Sequence, residues 1–270
     1  MEIVGYIASL VIGVSLGLIG GGGSILTVPV LVYLFGVNPV LATAYSLFIV
    51  GATSLVGSLP KYKNGEVNIK TAIIFGIPSI AAVYATRAFI VPAIPNHIFT
   101  IGNLVITKAL LLMLLFAILM VVASVSMIKN GTAKSYTEDG IQKFNYPLIL
   151  LEGAVVGVLT GLVGAGGGFL IIPALVLLSK LPMKQAVGTS LLIIAAKSLI
   201  GFTGDLGHYT INWALLFSVT LLAIAGIFAG NLFSKKISAD SLKKGFGWFV
   251  LVMGVYILIK EIFFASGSVH

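Results

Sequence analysis

Residues 17–32 read GLIGGGGSILTVPVLV and residues 161–176 read GLVGAGGGFLIIPALV. The two stretches align without a gap at an offset of 144 residues, with Pro29 on Pro173. Each glycine run interrupts an apolar stretch long enough to enter a bilayer. Helical backbone therefore breaks at Gly20-Gly21-Gly22-Gly23-Ser24 and at Gly164-Ala165-Gly166-Gly167-Gly168, and inside a membrane open backbone is tolerated only against protein or a watery cavity. The register continues outward: Ala42 falls on Ala186, Ser46-Leu47 on Ser190-Leu191, Ser54-Leu55 on Ser198-Leu199, Gly57 on Gly201 and Asn68 on Asn212. Register held over that distance marks an internal repeat, not shared membrane composition.

Composition sets the class. With 59% hydrophobic and 9% charged residues in 270, the chain has more apolar surface than a soluble domain can bury, so it reads as an all-α polytopic membrane protein. The net charge of +8 comes mostly from Lys and Arg in short loops between apolar runs, where it serves orientation; no nucleic-acid partner is expected. The absence of cysteine excludes disulfides, thiolate metal sites and cysteine nucleophiles, and His97, His208 and His270 are too scattered to form a ligand set. No cofactor or metal is expected. The N-terminus, with Glu2 and no basic stretch, has a counterpart within the chain and does not read as a cleavable signal.

Residues 3–36 form one apolar run that, as a straight helix, would reach about 50 Å, against a bilayer core of about 30 Å. It must fold back, as a helix from Ile3 to Leu18, a turn at the glycines and a helix from Ile25 to Phe35. Spans at 39–59, 69–91 and 98–128 follow, then a polar linker from Lys129 to Lys143. The second half repeats the order with a broken hairpin at 146–179 and spans at 184–203, 211–233 and 244–264. The domain reading is repeat 1 at 1–128, a cytoplasmic linker at 129–145 and repeat 2 at 146–270, with eight to ten helical segments.

Loop charge alternates in opposite sense in the two halves. The loop at Lys61–Lys70 is basic where its counterpart carries Asp205 and His208, and neutral Pro92–Thr100 corresponds to Lys235, Lys236, Lys243 and Lys244. Neutral Gly36–Pro39 likewise corresponds to Lys180 and Lys184. The positive-inside rule thus gives two inverted-topology repeats, each a glycine-broken hairpin plus three transmembrane helices, with both termini outside and the linker in the cytoplasm.

Helix N-termini carry unpaired N–H groups and a partial positive charge, which favours an anion. Helices starting at Ser24-Ile25 and Gly168-Phe169 would aim such ends at a common midplane point. The candidate substrate-binding residues are therefore Gly21, Gly22, Gly23, Ser24, Gly166, Gly167 and Gly168. The next span of each half adds Tyr45, Ser46, Thr189, Ser190 and Lys197. Ala42, Ser46, Thr53 and Gly57, with Ala186, Ser190, Lys197 and Gly201, fall on one helical face in each copy.

Lys197 is the sharpest feature, because a charge past the midplane is costly; it reads as the cationic partner of an anionic substrate, against snorkelling or pairing with Glu152. Arg87 and Lys108, nearer the ends of their spans, read as snorkelling cations. Glu152 reads either as carrier of a coupling proton or as an ion-pair partner. Glycines that merely permit tight helix crossing are the plain alternative, but four in succession exceed what a crossing needs.

With both glycine cradles, the following prolines and the AxxxSL pattern at Ala42–Leu47 and Ala186–Leu191, the sequence resembles the sulfite exporter TauE/SafE family over nearly its whole length. The resemblance implies an inner-membrane transporter of a small sulfur-containing anion such as sulfite or an organosulfonate, often outward; with no P-loop nucleotide site, its energy is expected from the gradient of a coupling proton or ion or from flow down a concentration difference. It also implies translocation-site roles for Gly20–Ser24, Gly164–Gly168, Ser46 and Ser190, whereas Lys197 rests on the physical argument alone. An anion-selective channel, or a transporter of another small carboxylate or oxyanion, are the competing readings. No P-loop, HExxH pair, GxSxG elbow or pair of intramembrane carboxylates points to an ATPase or an enzyme.

Overall fold

In a computed structural model, residues 2–101, 104–129, 146–177, 179, 181–233 and 239–264 are described. The described residues are all-α apart from one hairpin. Helix α1 (Glu2–Ile19) leads through a 3-10 segment (Gly21–Leu26) to α2 (Thr27–Tyr33). Then come α3 (Pro39–Lys63) and α4 (Ile69–Ala85), which runs on through a π turn at Thr86–Ile90 into the short α5 (Val91–Ala93). Strands β1 (His97–Ile101) and β2 (Leu104–Thr107) precede α6 (Lys108–Lys129). The second half comprises α7 (Tyr146–Val163), α8 (Gly168–Leu177), α9 (Met183–Thr203), α10 (Trp213–Phe233) and α11 (Ala239–Phe264).

Five segments, Pro39–Lys63, Ile69–Ala93, Lys108–Lys129, Met183–Thr203 and Trp213–Phe233, are long and apolar enough to cross a membrane by length and composition. Large side chains such as Leu151, Leu221, Leu232 and Phe263 stand exposed on the helix bundle. In water they would be a liability; in lipid they are its proper surface.

Two expectations need correction. Residues 98–107 are not the start of a transmembrane helix: His97–Ile101 and Leu104–Thr107 pair as an antiparallel hairpin. Isoleucine, valine, threonine and phenylalanine dominate both strands and favour extended backbone, and α6 begins only at Lys108. The helix expected at Ile25–Phe35 is also shorter, because the chain leaves the first glycine run as a 3-10 segment and becomes α-helical at Thr27. Pro29 then sits in the first turn of α2, where its missing N–H costs nothing. The linker from residue 130 onward lies outside the described residues, as do Lys180, Lys235 and Lys236.

The first apolar run does fold back: the Phe35 ring lies against Gly5 and meets Tyr6 edge-on at 5.3 Å. Packing between the halves follows the 144-residue register. Helix α1 lies along α10, with Gly13 on Ala223 and Gly17 on Ile227, and α7 lies along α4, with Gly157 on Ser79 and Gly161 on Thr86. Likewise Gly57 of α3 meets Ile227 of α10 while Gly201 of α9 meets Val83 of α4.

The directions differ in an informative way. Helices α3 and α9 are register equivalents, yet contacts pair Leu47 with Gly201, Gly51 with Leu199 and Gly57 with Leu191, so they run antiparallel. The equivalents α6 and α11 do the same, Gly247 meeting Met127 and Ile128 while Gly254 meets Ala117 and Met120.

Helix starts are marked by the residues that close them. Asn38 Oδ1 accepts from Val40 N at 3.0 Å ahead of Pro39, and Asn68 Oδ1 accepts from Thr71 N at 2.9 Å. Asn212 Oδ1 does the same for Leu215 N at 3.1 Å. Each cap satisfies one orphan donor of a helix start.

Candidate functional site

The two glycine breaks meet in the interior. Residues 21–26 and 164–169 are all buried, and a methyl group on Gly168 would collide with the Gly21 backbone, as one on Gly21 would with Gly168. The junction lies between α3 and α9: Gly166 packs against Val50, Ile194 and the Ser24 Cβ, and Gly21 against Ile194. Val50 and Ile194 are themselves register equivalents, so each copy supplies the same wall.

The second break depends on backbone that only glycine adopts readily. Gly164, Gly166 and Gly167 have φ of 72°, 63° and 73°, in the left-handed region. Gly167 also faces the Lys197 Nζ, 2.9 Å from where a Cβ would stand. Any side chain there would push on the ammonium.

Lys197 is fully buried, and its Nζ donates to Thr160 Oγ1 at 2.9 Å. Among the described residues it forms no ion pair. Both plain alternatives therefore fail: the side chain does not reach an exposed interface, and half-buried Glu152 is not its partner. A lysine at the centre of a membrane helix costs roughly 3 kcal/mol on insertion scales. One neutral hydrogen bond returns about 1 kcal/mol, so the contacts of Lys197 among the described residues do not offset the burial of its charged form.

The remaining candidates divide into two groups. Ser24 Oγ donates to Gly21 O at 2.7 Å and Ser190 Oγ to Val187 O at 2.8 Å, while Ser46 Oγ is buried without a hydrogen-bond partner among the described residues. Ser54 and Ser198, register equivalents one residue beyond Thr53 and Lys197, are likewise buried and without partners among those residues. Buried hydroxyls without partners are uncommon and call for an explanation.

Tyr45 and Thr189 instead hold loops. Thr189 Oγ1 accepts from Asn68 N at 2.9 Å, and the Tyr45 hydroxyl accepts from Asn212 N. These bonds are equivalents under the repeat: each copy's hydroxyl fastens the capping asparagine of the other. Their oxygens are thus used at the ends of α4 and α10, not at the glycine junction.

A further polar cluster escaped the sequence reading. Arg87 and Asp205 are fully buried, with Arg87 Nη1 3.5 Å from Asp205 Oδ1 and 3.0 Å from Thr43 Oγ1, to which it donates. Lys108 is 6% exposed beside them. Snorkelling is therefore the wrong account of Arg87 and Lys108; the π turn at Thr86–Ile90 carries the guanidinium inward. Burial raises the Asp205 carboxyl above the usual carboxylate range, and the Arg87 guanidinium opposes that rise. The available signal was Asp205 itself, the lone acid in a loop whose counterpart is basic.

Comparison with known proteins agrees with this architecture. The family model described as sulfite exporter TauE/SafE matches residues 6–257. A probable membrane transporter protein of Xylella fastidiosa strain 9a5c is 31% identical over 257 residues, covering 93% of this chain and 92% of its own. The probable membrane transporter protein YdhB of Bacillus subtilis is 25% identical over 249 residues, covering 92% and 96%. No solved structure matches the chain. Multi-pass, apolar and matched over almost its full length, the chain is a membrane transporter, not an enzyme, and belongs to the sulfite exporter TauE/SafE family.

Proposed function

We propose that this transporter moves a small sulfur-containing anion, such as sulfite or an organosulfonate, outward across the cytoplasmic membrane by alternating access around the junction of the two glycine breaks. The observation that carries the reading is Lys197, a fully buried ammonium without an ion-pair partner among the described residues, set against Gly167 where the second break faces the first. Backbone N–H groups of Gly21–Ser24, Gly166 and Gly168, with the Ser46 hydroxyl, would complete the shell of the anion, and Gly167 N–H and Ser190 Oγ would join it by releasing Ala165 O and Val187 O.

The antiparallel equivalents α3 and α9 support an inverted repeat, with repeat 1 at 1–128 and repeat 2 at 146–270. Such a pair has two related conformations, in which one copy takes the arrangement the other has left. In the present conformation the breaks are pressed together, which corresponds to a closed site. Loop charge supports both termini outside, and Glu152, half-buried on α7, would carry a coupling proton.

The test is flux of labelled sulfite, and of a short sulfonate, into proteoliposomes holding the purified chain. Saturable, protein-dependent uptake at slow turnover is expected. Single-channel currents would favour a pore, and absence of flux for any small anion would overturn the reading.

A further inference from the structure

A cavity of about 710 Å³ opens away from the glycine junction, walled by Asn38, Asn96, Lys108, His208, Tyr209 and Thr210. Four chain segments contribute: the cap of α3, the turn before β1, the first residue of α6, and the loop between α9 and α10. Lys108 is at once the first residue of a 22-residue helix and a nearly buried ammonium. Helix end and side chain therefore bring positive potential to the same wall.

Behind that wall the charges do not balance. Arg87 and Lys108 are two cations, and among the described residues Asp205 is the single carboxylate acting on both. The Arg87–Asp205 separation of 3.5 Å is long for a hydrogen bond, and Arg87 Nε and Nη2 and both Asp205 oxygens lack hydrogen-bond partners among the described residues. One positive charge is left over, and it faces a space of mixed lining, with Val40, Leu41 and Ala109 among the polar side chains, large enough for a hydrated oxyanion.

We propose that this cavity is a second anion-binding site, an antechamber that holds a small oxyanion at Lys108 on the side where outward transport would release it, apart from the site at the glycine junction. Arg87 links the two. Its Nη1 donates to Thr43 Oγ1, and Gly164, the first residue of the second break, packs directly on Thr43. A single residue thus separates the antechamber's charge cluster from the backbone of the junction. The assignment stands on the cavity and its charges and does not require Lys197 to carry substrate.

The absence of cysteine in the chain makes a clean probe possible. With Thr210→Cys in the full-length chain in nanodiscs, a negatively charged methanethiosulfonate is expected to modify the thiol about tenfold faster than a positively charged one. Sulfate should slow that reaction. Lys108→Gln in the same background should bring the two rates together, and Lys108→Arg should restore the preference. Should Lys108→Gln fail to fold, Lys108→Met, which keeps the length and apolar stem of the side chain, serves instead and should bring the two rates together in the same way. Equal rates in Thr210→Cys alone, a preference indifferent to removal of the Lys108 charge, or a thiol that sulfate does not protect would overturn the proposal. Sulfite flux measured separately on Lys197→Met keeps failure here distinct from failure at the junction.

Discussion

The two glycine breaks share a register and differ in what they carry. The first leaves the helical region at one residue, Gly20 with φ of 74°, and re-enters through a 3-10 segment whose only hydroxyl, Ser24, bonds back to Gly21. The second places three glycines in the left-handed region, starts an α-helix at once, and sets Gly167 against an ammonium. At the position equivalent to Lys197 the first copy has Thr53, whose hydroxyl donates to Ile49 O at 2.6 Å within its own helix. The backbone breaks in both stretches, but the charge sits beside one of them. The electrostatics of the junction are thus one-sided, and on the proposed reading an anion bound there would lean towards the second stretch.

The largest expected effect breaks that asymmetry at its source. Lys197→Met should weaken sulfite binding about 10- to 100-fold, the worth of one charge-assisted hydrogen bond, while Thr53→Val should leave it unchanged; binding of labelled sulfite to purified protein reads both. Equal effects would mean that the copies share the load.

Next comes the Arg87–Asp205 pair, again against its equivalent. Asp205→Ala strips the counterion from a buried guanidinium and should cost roughly 3–5 kcal/mol in unfolding measured in detergent. Its register equivalent, Lys61, pairs with Glu66 at 2.9 Å with side chains 20% and 24% exposed, so Lys61→Ala should cost at most about 1 kcal/mol.

Gly167→Ala sharpens the comparison at the breaks. A left-handed alanine costs about 1–2 kcal/mol before its methyl meets Thr160 and the Lys197 ammonium, so both thermal stability and sulfite affinity should fall. Gly23→Ala, its equivalent, would crowd Ser15 and Leu16 and should lower stability with less effect on affinity.

The smallest effect is the one in which the halves should agree. Tyr45→Phe and Thr189→Val each remove an acceptor from a capping asparagine's N–H and should each cost about 1 kcal/mol with sulfite affinity unaltered. A marked affinity loss in either would return those hydroxyls to the substrate.

Much of this was legible in the residues because a repeat is a comparison the chain makes with itself. Offset and loop charge together gave the broken hairpins, the helix order and the opposition of α3 and α9. Buried Lys197 was legible because membrane burial of a lysine is costly and its neighbours in sequence are apolar. What was not legible depends on contacts between distant segments. Arg87 lies near a span end, where a snorkelling lysine or arginine looks the same in sequence; only the π turn and Asp205, more than a hundred residues on, bring it inward. Tyr45 and Thr189 share a face with the site residues, yet their partners are loop amides of the opposite copy, which periodicity does not reveal. The hairpin at His97–Thr107 was hidden by its apolarity, since a short apolar run reads alike as strand or as buried helix.

The most direct measurement is a structure of the chain solved with sulfite bound. The account predicts anion density between Gly21–Ser24 and Gly166–Gly168, within hydrogen-bond reach of the Lys197 Nζ. Density confined to other parts of the molecule, with the two breaks still closed on each other and Lys197 still held by Thr160 alone, would contradict it.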